Sequence, residues 1–187
     1  MSVWRQKAIE IAPELKKDFQ DPVRRQITLF VGRKDATEIE NIRKKFNPKQ
    51  QHLIDSHVTL CREDEIENIT FVLDNLQRLD THKISIRFGQ VTRFDNGIGV
   101  LLPALGDNEQ FHQLRLKVLT GLNTTIRRHE PHITLMHPRN STCTDEIFKA
   151  IQKINLPTSL SFDRISLIEQ IDGGQWQTLK TYELKDI

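Results

Sequence analysis

The chain has 187 residues, 37% of them hydrophobic and 28% charged, with a formal net charge of +2. These values suit a folded, soluble protein with a real core, and they exclude a disordered tail or a strongly basic nucleic-acid coater. Arg5, Lys7 and Glu10 fall where a signal peptide needs an apolar core, and no run approaches the roughly 20 apolar residues of a membrane span, so a cytoplasmic protein is expected.

In chain order, residues 26–32 (QITLFVG) read as a strand ending in glycine. Residues 35–46 read as a helix, with Asp35 as N-cap, Ile39, Ile42 and Phe46 in period, and Asn47-Pro48 as its stop. SHVTLC at 56–61 is a strand, and 62–79 reads as one helix with Glu63, Asp64 and Glu65 in a first turn favoured by the helix dipole. Residues 82–94 return as a strand bulged at Gly89. Then come a strand at 97–105, a helix at 108–122, the strand PHITLM at 131–136, and a helix at 143–154 capped by Thr144. A hairpin around Asp172-Gly173-Gly174 closes the chain. Both halves therefore run strand, helix, His-x-Thr strand, helix, strand, which is a two-fold internal repeat. The expected organisation is an amphipathic extension at 1–22 and one two-lobed domain at 23–187, with halves at about 23–96 and 97–187.

The repeated strand carries the chemistry. Side chains alternate faces along a strand, so His57 and Thr59 share one face while Val58 and Leu60 share the other. His132 and Thr134 pair in the same way, opposite Ile133 and Leu135. If the halves pack with pseudo-two-fold symmetry, the polar faces meet around one space. Two imidazoles would then flank it, each with a hydroxyl about 6.5–7 Å along its strand. That arrangement suits a phosphodiester. A neutral imidazole removes a proton from water or a ribose hydroxyl, an imidazolium protonates the leaving oxygen, and the threonines donate to non-bridging oxygens. An ordinary imidazole pKa near 6.5 supplies both forms at neutral pH. No metal is required. His57, His132, Thr59 and Thr134 are thus the candidate catalytic residues. Alternation in residues 26–32 turns Phe30 to the same side as Thr28, where it is a candidate base platform; Trp176 and Tyr182 in the last hairpin are further ones.

On HVTL at 57–60, HITL at 132–135 and the duplicated element order, the sequence resembles the two-histidine (2H) phosphoesterase superfamily, and within it the bacterial 2′-5′ RNA ligase or RNA cyclic phosphodiesterase proteins. The resemblance covers roughly residues 24–184. It implies an α+β, bilobal fold with antiparallel sheets flanked by helices around a central cleft. It implies acid–base hydrolysis of 2′,3′-cyclic phosphates on RNA ends or nucleotides, with reversible 2′-5′ ligation by the same groups, and no metal or nucleotide cofactor. A monomer is expected. The competing reading is a non-catalytic module that binds RNA ends or nucleotides. Some family members carry an arginine five residues after the second motif histidine. Here that position is His137, while Arg62 holds the equivalent position after the first motif and Arg139 lies two residues past His137. Arg62, Arg139 and His137 are therefore the candidate phosphate-binding residues.

Other features read as ordinary. Cys61 and Cys143 show neither disulfide nor zinc spacing. The basic clusters 24–25, 33–34, 43–45 and 127–129 read as solvated faces. His52, His82 and His112 have no spacing partner, and His129 has odd parity relative to His132.

Overall fold

The organising elements are two five-residue strands, β2 (His57–Cys61) and β6 (His132–Met136), whose patterns of exposed and buried residues are the same. In each, His and Thr are partly exposed while the alternate aliphatic residues are fully buried. The alternation expected from sequence is therefore observed, and it gives each strand a core face and a polar face. The structure is a computed structural model and describes residues 23–95, 97–122 and 126–186. The extension expected at 1–22 lies outside those residues.

The first half is built from β1 (Val23–Phe30), α1 (Arg33–Phe46), α2 (Pro48–Leu53), β2, a 3₁₀ turn at Glu63–Glu65, α3 (Ile69–Gln77) and β3 (Ile84–Arg87). The second is built from β4 (Thr92–Arg93), β5 (Val100–Pro103), α4 (Glu109–Leu119), β6, α5 (Asp145–Gln152), β7 (Ser159–Phe162), β8 (Arg164–Ile171) and β9 (Gln177–Glu183). Seven strands form an antiparallel sheet in the order β4-β5-β6-β2-β1-β8-β9, and β3 pairs with β7 in a second, two-stranded sheet. The fold is α+β, with antiparallel sheets and a duplicated unit, as the sequence implied.

The two halves meet strand to strand. Val58 pairs with Ile133 in the antiparallel β2–β6 ladder. These are equivalent residues of the two motifs, so the pseudo-two-fold axis passes between them. The polar faces consequently lie side by side on one sheet. The helices reinforce the join by crossing over: α1 packs on β6 and α4 on β2. The buried aliphatics Val58, Leu60, Ile133 and Leu135 supply the core face that these helices cover.

Four elements differ from the sequence expectation. α1 starts at Arg33 with Gly32 at its N-cap, so Asp35 lies inside the first turn and does not cap the helix. Asn47-Pro48 ends α1 but also starts α2, because proline at the first helical position lacks only an N–H that would be orphaned anyway. Residues 62–79 are not one helix. The three acids occupy a 3₁₀ turn in which each takes an arginine: Glu63 pairs with Arg24 at 2.6 Å, Asp64 with Arg127, and Glu65 with Arg115 at 2.6 Å. The 82–94 strand breaks at Phe88–Val91, leaving β3 in one sheet and β4 in the other. Gly89 sits at that break, where a Cβ would lie 2.9 Å from Leu105 Cδ2, so glycine there permits a close crossing.

Two arginines are wholly inside. Arg43 on α1 and Arg115 on α4 are each 1% exposed. This corrects the reading of cluster 43–45 as a solvated face. Arg43 Nη1 donates to Glu40 Oε1 at 2.6 Å and Nη2 to the Ile54 carbonyl at 2.6 Å, just ahead of β2. Arg115 donates to the carbonyls of Leu60 and Arg127 and to both Glu65 oxygens, joining the end of β2 to the approach to β6. Burial by itself would raise the Glu65 carboxyl, but hydrogen bonds from Arg115 and the Arg62 N–H outweigh it and hold it below the usual carboxylate range.

Removing one partner of such a pair leaves an uncompensated buried charge. Glu65→Gln should lower unfolding free energy at pH 7 by about 3–5 kcal/mol in urea denaturation. With the folded pKa below the unfolded value near 4.3, the contribution is full above about pH 4.3 and fades as pH falls through the folded value. The gap between variant and wild type should therefore narrow in acid. A variant as stable as wild type at pH 7 would show that the pair does not hold the strands.

Candidate active site

The β2–β6 register sets the geometry of the polar face. With Val58 opposite Ile133, the next residues on either side place His57 opposite Thr134 and Thr59 opposite His132. Opposed Cβ atoms lie about 4.5–5.5 Å apart and diagonal ones about 7–8 Å. The two histidines are diagonal, as are the two threonines. The four side chains therefore share one patch of the face, with an imidazole at two corners and a hydroxyl at the other two.

Both imidazoles are held in the same way. His57 Nδ1 contacts the Asp55 carbonyl at 2.7 Å, and His132 Nδ1 contacts the Glu130 carbonyl at 3.2 Å, two residues upstream in each case. A carbonyl oxygen only accepts, so Nδ1 carries the hydrogen in each neutral ring. Nε2 then carries the lone pair. Neither Nε2 has a protein partner among the described residues. Each ring also meets an aromatic edge: Phe30 with His57 at 6.0 Å between centroids, and Phe94 with His132 at 5.7 Å. Phe30 arrives because it pairs with His57 across β1–β2. Phe94 comes from the turn after β4, where its carbonyl accepts from the Gly97 N–H at 2.7 Å.

Burial dominates the electrostatics. It pushes His57 down to about 4, helped by the positive charge of Arg43 and by His132, against the Asp55 carbonyl and Glu40. His132 is lowered by burial and by the charge of Arg62, against the Glu130 carbonyl. Burial and neighbouring positive charge thus favour the neutral form of both rings. This corrects the expectation that an ordinary pKa near 6.5 supplies the acid.

The remaining candidates divide. Arg62 is exposed, and its charge acts on His132 and also on His129. His137 is held by its N–H donating to Asn47 Oδ1 at 2.8 Å, and its ring is depressed by burial and by the charges of Arg139, Arg24 and His132. Arg139 stands against His137, its backbone N–H donating to His137 Nδ1 at 3.2 Å, one step removed from the paired histidines. His129 does not face the pair: its Nε2 meets the Thr59 carbonyl at 3.2 Å and its ring meets Phe111. Trp176 lies under the Arg24 guanidinium at 5.4 Å. Tyr182 is opposite Ile165, the residue beside Ser166, and packs against the core on the far face from the histidines. That removes Tyr182 as a base platform. Phe94, Arg43, Arg115 and Arg24 were missed in the sequence. The described cavities near β3 and α4, of about 200 and 250 Å³, hold none of the paired histidines or threonines.

A sequence profile described as the 2′-5′ RNA ligase superfamily matches residues 31–174. Among solved structures, Escherichia coli LigT in apo form is similar at a TM-score of 0.63 and 17% identity, covering 89% of this chain and 100% of that one. The same protein complexed with 3′-AMP is similar at 0.62 and 17%, with the same coverage. The protein TT0787 of Thermus thermophilus is similar at 0.58 and 16%, covering 87% of this chain and 98% of that one. No match to a curated protein reaches significance.

The depressed histidines give a direct check. In a nitrogen-15 NMR titration of the free protein, His57 and His129 should each protonate with a midpoint near pH 4. Both should show the Nδ1–H or Nε2–H tautomer that their carbonyl partners dictate. Midpoints near 6.5 would mean that water reaches the rings and that burial does not control them.

Proposed function

The chain belongs to the 2′-5′ RNA ligase superfamily, and we propose that it is a phosphodiesterase that opens 2′,3′-cyclic phosphates on RNA ends or nucleotides by two-histidine acid–base catalysis. The observation that carries this reading is the pair of Nε2 atoms, without a protein partner among the described residues, on diagonal corners of one polar face. Phosphate-bearing ligands suit the fold: E. coli LigT, similar at 16–18% identity, has been crystallised with phosphate, 3′-AMP, NADP+ and ATP.

Burial favours the neutral, basic form of both imidazoles, whereas the reaction also needs an acid. A phosphate anion supplies what is missing. One negative charge about 4 Å away contributes about 4 kcal/mol at an effective dielectric of 20, equal to about three pKa units. That is enough to bring one ring from about 4 to near neutrality. Substrate binding therefore protonates one imidazole and leaves the other as base. The base Nε2 takes a proton from water as the water oxygen bonds to phosphorus. The charged Nε2–H gives its proton to the ribose oxygen as the P–O bond breaks. The threonine hydroxyls hold the non-bridging oxygens throughout. Ligation of 2′-5′ ends is the same path reversed, with a ribose hydroxyl in place of water. Phe30 and Phe94, beside the two rings, are the base contacts; Arg62 and His137, which couple electrostatically to His132, take the remaining phosphate charge. The protein works as a cytoplasmic monomer, without metal or cofactor.

Phosphorus NMR of 2′,3′-cyclic nucleotides and short cyclic-phosphate-ended RNAs, with EDTA present, tests this reading. Wild type should turn over, and His57→Ala and His132→Ala should each lose at least about 10²-fold. Either variant matching wild type would contradict the mechanism, and full inhibition by EDTA would contradict its metal-free part. Binding without turnover across these substrates would make the protein a nucleotide-binding module.

A further inference from the structure

The pseudo-symmetry of the site is broken one strand out from the catalytic pair. On the β5 side, Thr134 is opposite Leu101, an aliphatic residue. On the β1 side, Thr59 is opposite Thr28, Thr28 is opposite Ser166 on β8, and Ser166 is opposite Thr181 on β9. Directly opposed residues of antiparallel strands share a face. Four hydroxyls thus form a row across the sheet on the histidine side, and the row ends at His132, beside Thr59.

The middle of the row is dry. Thr28 is 0% exposed and Ser166 is 5% exposed. Among the described residues, Thr28 Oγ1 is buried with no hydrogen-bond partner. An unsatisfied buried hydroxyl costs stability, and valine has nearly the same shape without that cost. The hydroxyl is therefore better explained by a partner it gains than by packing. Its opposed neighbour on the site side is Thr59, within the short Cβ separation of a directly opposed pair.

We infer that Thr28 is a positioning residue for Thr59. When an anion occupies the site, the Thr59 hydroxyl turns its proton to a phosphate oxygen. Its lone pair then faces Thr28, whose O–H donates to it. Thr28 is satisfied only in that state, and the donated bond commits the Thr59 proton to the phosphate. Thr134, backed by Leu101, has no such support. The Thr59–His132 side is therefore the firmer of the two anchors, although the motifs themselves are alike.

This inference rests on the proposed role of Thr59, and one set of variants separates the two. Steady-state hydrolysis of a 2′,3′-cyclic nucleotide is compared for wild type, Thr28→Val, Thr28→Ser, Thr59→Val and the Thr28→Val/Thr59→Val pair. Thr28→Val should cut kcat at least fivefold with KM changed less than twofold, while its thermal midpoint stays level or rises. Thr28→Ser should return kcat to within twofold of wild type. The double variant should be no slower than Thr59→Val alone. Wild-type kcat in Thr28→Val, or additive losses in the pair, would overturn the inference. Wild-type activity in Thr59→Val would refute the role of Thr59 itself and the inference with it. If wild type turns over no cyclic phosphate, the proposed reaction fails and inorganic phosphate decides the matter. In a phosphorus NMR titration Thr28→Val should then bind it at least threefold more weakly than wild type, and equal binding would overturn the inference.

Discussion

The structure depends on one backbone pairing, Val58 against Ile133 in the β2–β6 ladder. Because the paired residues are equivalent in the two motifs, every other relation across the centre follows. Each histidine stands opposite the other motif's threonine, the histidines are diagonal, and the aliphatic residues of both strands face the same core. A slip of one residue would send one His-Thr pair into the core and bring aliphatic side chains to the polar face. The site therefore has no tolerance for register error, and the surrounding elements hold the register from both sides.

What holds it is charge in the interior. Arg43 fixes the Ile54 carbonyl, and its partner Glu40 accepts the Ser56 N–H at 2.5 Å, immediately before His57. Arg115 does the corresponding job on the other half, reaching the Leu60 and Arg127 carbonyls together. Buried guanidiniums suit this task because their several donors meet several carbonyls at once. They also have an electrical effect on the site. The Arg43 charge adds to burial in favouring the neutral form of His57, so the residue that anchors the chain ahead of β2 also acts electrically on the ring.

Much of this was legible in the sequence because it is local and repeated. Alternation in HVTL and HITL gave the faces of β2 and β6, and the repeat singled out His57 and His132 from seven histidines. What escaped were long-range partners. Glu63, Asp64 and Glu65 look like a helix start until Arg24, Arg127 and Arg115 are brought to them from 39, 63 and 50 residues away. Arg43 was hidden in the run Arg-Lys-Lys, although Ile42-Arg43 and Leu114-Arg115 occupy matching places on their helices, and that repetition was a readable signal. Phe94 had none, since it replaces Phe30 in space and not in sequence: the strand position matching Phe30 is Pro103. Nor could spacing tell whether the polar faces would oppose each other across a gap or lie side by side, because that choice is made by the pairing of strands 75 residues apart.

Two imidazoles on diagonal corners, with a hydroxyl at each of the other two, make the face that we propose an anion completes. The most direct measurement of that claim is a crystal structure of the protein with inorganic phosphate. One phosphate is expected on the polar face, with His57 Nε2 and His132 Nε2 on different oxygens at hydrogen-bond distance and the hydroxyls of Thr59 and Thr134 on the others. Phosphate held by only one of the two histidines, or bound elsewhere with the polar face empty, would contradict it.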